Sequence, residues 1–93
     1  MVQTRLGIKP EPTSVGERLR AHRLETRLPR LTYAERFGLP FVLVQTIETG
    51  RCRYVTREQL EALARVLGLE GEDGLRELVG KGSKLTDHYI RLA

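Results

Sequence analysis

Between residues 15 and 67 every basic side chain is an arginine, and ten of them stand against six glutamates. A guanidinium is a rigid planar fork whose N–H groups match a phosphate or the edge of a base, so this segment is suited to contacts with polyanions. The charge is unevenly placed: this segment carries +4, residues 1–14 carry +1 and residues 68–93 carry −1, which accounts for the net +4 of the chain. The plain alternative is a solvated, arginine-rich surface. Other chemistry is poorly provided for. His22, His88 and Cys52 fall at no metal-ligand spacing, and no Ser/His/Asp or paired-carboxylate arrangement stands out. No metal, no cofactor and no enzymatic activity are therefore expected. Gly80-Lys81-Gly82-Ser83 lacks the order of a phosphate-binding loop and follows a helical pattern instead of a strand, so it reads as a linker.

The chain has 93 residues, 40% hydrophobic and 30% charged, enough for one modest core. Trp is absent and only three Tyr and two Phe are present, so that core must rest on Leu, Val, Ile and Ala. No apolar run reaches the roughly 18–20 residues of a membrane span, and Met1 to Ser14 lack the apolar stretch of a signal peptide. A single cysteine excludes an internal disulfide and suits a reducing cytoplasm, the expected location.

The elements that must position the arginines read as helices. Residues 1–13, with Pro10 and Pro12, show no periodicity and are expected to be a flexible arm. Ser14-Val15-Gly16-Glu17 is a capping box for a first helix running to about Arg27, with Val15, Leu19, His22 and Arg23 inward. His22 reads there as a packed histidine, not a catalytic one. Pro29 prevents that helix from continuing, and a second helix covers about Arg30 to Phe37. Gly38 suits a left-handed helix end, and Pro40 pre-sets the start of a third helix, about Pro40 to Thr49. After a basic loop, Thr56-Arg57-Glu58-Gln59 is a second capping box; Leu60, Leu63, Ala64 and Leu67 follow at i, i+3, i+4, i+7. A fifth helix is expected over about Glu72 to Val79. Leu85, Tyr89 and Leu92 form one stripe of a last helical segment, and no strand is expected. This divides the chain into an arm (1–13), a folded domain (14–80) and a tail (81–93) able to form a helix or a dimer contact.

Ala34, Gly38, Leu39, Val44 and Ile47 stand where a helix-turn-helix needs its small, turning and branched apolar residues, with Tyr33 and Phe37 in the remaining scaffold places. Two helices crossing through a 3–4 residue turn require a small residue at the crossing and Gly at the corner. With the flanking Gly16-Glu17-Arg18-Leu19-Arg20 and Ile47-Glu48-Thr49-Gly50-Arg51, the stretch Val15 to Leu67 resembles lambda-repressor, Cro and XRE-family DNA-binding domains. The resemblance implies an all-α, lambda-repressor-like five-helix bundle. It implies a DNA-binding transcriptional regulator, in the repressor direction, that works as a homodimer on double-stranded DNA. It also implies an ion pair between Arg23 and Glu48, and a recognition helix at about residues 40–49.

On that helix the outward positions are unusual. Phe41, Val42 and Leu43 stand where polar readers are typical, and only Gln45 and Thr46 can hydrogen-bond to base edges. Phosphate contacts are expected from Arg30, Arg51, Arg53 and Arg57. Three readings stay open. The domain binds DNA with modest direct readout; or Phe41/Val42/Leu43 dock a protein partner, making the chain an adaptor on the same fold; or these residues are core, covered by the arm or the tail. Dimer contacts are expected from the fifth helix and the Leu85/Tyr89/Leu92 stripe.

Overall fold

The computed structural model describes residues 14–80, 82–86 and 88–93; the expected N-terminal arm lies outside them. The elements are α1 (Val15–Thr26), α2 (Arg30–Phe37), α3 (Phe41–Glu48), β1 (Tyr54–Val55), α4 (Arg57–Leu67), α5 (Glu72–Leu78) and β2 (Ile90–Arg91). Both capping boxes form. The Ser14 hydroxyl accepts the Glu17 amide at 3.1 Å while the Glu17 carboxylate accepts the Ser14 amide at 3.3 Å. Thr56 and Gln59 repeat the exchange at 3.1 and 2.9 Å. Each pair satisfies two of the amides that a helix start leaves without intrahelical partners. α1 ends at Arg27, which adopts a left-handed conformation at φ 60°, two residues before Pro29.

The five helices surround one apolar core. Val15 and Leu19 of α1, Tyr33 and Ala34 of α2, Leu43, Val44 and Ile47 of α3, Leu60, Leu63 and Ala64 of α4, and Leu75 and Leu78 of α5 are all buried in it. The contact between α1 and α3 depends on a position whose capping-box place in the sequence says nothing of its packing. A Cβ on Gly16 would stand 2.5 Å from the Ile47 carbonyl oxygen, so only glycine lets the start of α1 lie against the end of α3.

The tail departs from expectation. Its described residues form no helix: Ile90–Arg91 pairs antiparallel with Tyr54–Val55, Tyr54 opposite Arg91 and Val55 opposite Ile90, so a small ribbon exists where no strand was expected. The reason lies in the backbone groups it serves. The Leu92 amide donates to the Arg53 carbonyl at 2.8 Å, and the Ala93 amide donates to the Leu78 carbonyl, at the end of α5, at 2.9 Å. The Ala93 carbonyl in turn accepts the Val15 amide at 3.2 Å. Extended chain can serve all three neighbours, whereas a helix would use these groups within itself. Burial follows the strand period: Ile90 is 1% exposed while Tyr89 is 73% exposed. Leu85 and Leu92 rest against the core of their own domain, so they do not form an outward dimer stripe with Tyr89.

Ile90 is thus part of the core, and Ile90→Ala should lower unfolding free energy by about 2–5 kcal/mol. Tyr89→Ala should stay within about 0.5 kcal/mol of the parent. Urea unfolding followed by circular dichroism measures both; equal effects would remove the tail from the core.

Candidate nucleic-acid interface

The turn between α2 and α3 is set by Gly38, left-handed at φ 71°, followed by Leu39, whose amide donates to the Ala34 carbonyl at 2.9 Å. Leu39 is itself buried, so the corner is held from beneath as well as by its hydrogen bonds. Pro40 caps α3 in an extended conformation with no side-chain hydrogen bond. The loop after α3 is tied back onto it: the Arg51 and Cys52 amides donate to the Thr46 carbonyl at 2.8 and 3.0 Å. Arg51 and Arg53 are both exposed at the end of α3.

A single carboxylate fastens this unit to the rest of the domain. The Glu48 side chain, fully buried, accepts Arg23 Nε at 2.8 Å on Oε2 and Arg23 Nη2 at 3.0 Å on Oε1. Arg23 Nη1 donates to the Leu28 carbonyl at 3.3 Å, so all three of its nitrogens are engaged. Arg30 Nε, from the start of α2, donates to Glu48 Oε1 at 3.2 Å. Glu48 therefore links α1, α2 and α3. Burial alone would raise its pKa, but the hydrogen bonds and charges of the two arginines outweigh it and hold the carboxyl below the usual range. The hydrogen bond to Glu48 likewise raises the Arg23 pKa. Nearby, burial and the Glu48 charge push the Tyr33 hydroxyl up to about 12. Tyr33 OH lies 2.7 Å from His22 Nδ1, and His22 stacks edge-on against Tyr33 and Phe37; it is a packed side chain.

The residues expected to contact DNA divide in an informative way. Val42 is 64% exposed and Phe41 37% exposed on the first turn of α3, and Gln45 is exposed one turn later. Leu43 is corrected: it is 7% exposed and belongs to the core, because it lies i, i+4 from Ile47 and shares its inward stripe. Thr46 is half-buried, and its hydroxyl donates to the Val42 carbonyl at 2.7 Å, within its own helix. Arg30 stands 30% exposed at the edge, its Nε already committed to Glu48. Arg57 faces Glu61 and Glu72 at 3.1 and 3.6 Å. The link from Arg30 to Glu48 has no sequence signal, since the two are 18 positions apart and either could face solvent.

Two short helices joined at a glycine corner, the second with an exposed outer face and exposed arginines in the loop after it, define the helix-turn-helix class. The family model of the helix-turn-helix domain matches residues 14–78, and the chain belongs to that family. Neither a curated protein nor a solved structure matches the chain.

Replacing Glu48 by Ala leaves the Arg23 and Arg30 charges without their carboxylate and should cost about 3–5 kcal/mol. Arg30→Ala should cost less, because Arg23 still pairs with the carboxylate. The lowered Glu48 pKa fixes the direction with pH. Its contribution is present above the unfolded carboxylate range and fades as pH falls through the folded value. Acid unfolding of Glu48→Gln should therefore lose part of the parent's pH dependence below about pH 4–5, where an unpaired glutamate titrates. Absorbance titration should show one tyrosine ionising near pH 12, and Tyr33→Phe should abolish that step.

Proposed function

We propose that this chain is a cytoplasmic transcriptional regulator of the XRE/Cro type, acting as a repressor that binds double-stranded DNA as a homodimer. The observation that carries the reading is the α2–turn–α3 unit, locked by Glu48, with Phe41, Val42 and Gln45 exposed on α3. Arg30 is bonded to Glu48, the last residue of α3, and Arg51 and Arg53 are exposed in the loop that follows. In this docking mode the second helix enters the major groove, while basic side chains at its borders meet phosphates and fix the register. Dimerisation follows from interface size: one domain this small buries too little surface on DNA for specific affinity, and paired half-sites supply the remainder. Among the described residues no helix is long and apolar enough to cross a membrane, which suits a protein acting on DNA. An adaptor role for α3 loses support from Leu43, whose burial leaves Phe41 and Val42 as a narrow apolar strip.

Binding should weaken steeply with salt. Arg51→Ala, Arg53→Ala and Arg30→Ala should each reduce the log–log salt slope by about 0.9 for every phosphate that is no longer neutralised. Gel shifts on duplex DNA across a salt series measure the slopes. Slopes unchanged in all three variants would mean that the basic border is only solvated surface.

A further inference from the structure

The outer face of α3 carries an uneven set of groups. Phe41 and Val42 present apolar surface on its first turn, and Gln45 presents an amide one turn on. The two threonines that follow add no spare donor: the Thr46 hydroxyl donates to the Val42 carbonyl at 2.7 Å and the Thr49 hydroxyl to the Gln45 carbonyl at 2.9 Å. Leu43, Val44 and Ile47 turn inward. On this face of α3, therefore, one side chain has hydrogen-bond donors not already committed to the helix, and two side chains are hydrocarbon.

Resting on the DNA-binding reading above, we propose that this helix reads thymine methyl groups: Phe41 and Val42 pack against the C5-methyls of T·A pairs, and Gln45 pairs with the adenine edge of an adjacent A·T pair. The major groove offers one hydrocarbon feature, the thymine methyl, and exposed Val and Phe can gain energy there only from it. A glutamine amide meets adenine N6 and N7 bidentately, accepting from one and donating to the other. Spacing agrees. Three residues along a helix rise about 4.5 Å, between one and two of the roughly 3.4 Å base-pair steps, which lets Val42 and Gln45 reach adjacent pairs. Arg51 and Arg53, exposed just after α3, add positive charge at its C-terminal end and favour a polyanion over an apolar partner surface.

The test uses the full chain. A binding site is first selected from random duplexes and its thymines are then replaced one at a time by deoxyuridine, which differs only by the missing methyl. At one or two positions per half-site the affinity should fall about fourfold, the value of one buried methyl. Converting such a T·A pair to C·G should weaken binding, and 5-methylcytosine at that position should recover the methyl's share. In Val42→Ser, whose fold is checked by circular dichroism, the uridine penalty should vanish at one position while the salt slope is kept. Selective binding indifferent to uridine overturns methyl reading and leaves the DNA-binding reading standing. Absence of binding to any duplex at low salt overturns both.

Discussion

One buried carboxylate governs the geometry on which the rest depends. Glu48 ends α3, yet its side chain is completely withdrawn from solvent and takes three hydrogen bonds from guanidinium groups on α1 and α2. A charge in that position is tolerable only if its partners are in place, so small displacements of α3 against α1 or α2 are penalised. Hydrophobic packing alone would allow α3 to slide or roll by small amounts at little cost, because burial of area has no direction. The ion cluster supplies the direction, and Gly16 supplies the closeness by letting the start of α1 rest on the Ile47 carbonyl.

A different constraint acts at the other end of the domain. A chain with no tryptophan and five aromatic residues has few large side chains with which to close its core. The tail contributes the missing piece as a strand: Ile90 enters the interior, and the flanking backbone joins β1, the end of α5 and the start of α1. This joins the first and last described segments and makes the helical core depend on partners distant in sequence. It also turns Leu85 and Leu92 toward the core of their own domain.

The helices themselves were legible from sequence. Ser14 with Glu17 and Thr56 with Gln59 announce helix starts through chemistry confined to four residues, and Gly38 and Gly68 adopt the left-handed conformations their places demand. Leu60, Leu63 and Ala64 face the core as their spacing requires. Of the interface, the exposure of Val42, Gln45, Arg51 and Arg53 agrees with the sequence reading. Leu43 does not: it shares the inward stripe of Ile47, four residues on, and is buried with it.

What the sequence determined by itself is therefore local: caps, helix periods, the glycine corner, and the arginine bias that makes a polyanion the natural partner. These act over a few residues, and their energetics are nearly independent of the remaining chain. Tertiary structure alone decided the rest. Whether Leu85, Tyr89 and Leu92 wind into a helix or extend past β1 depended on which backbone groups of α5 and β1 stood waiting. Whether Arg30 is free or bound to Glu48 depended on where α2 docks against α3. Both choices are settled by partners far along the chain, and no periodicity in the segment itself records them.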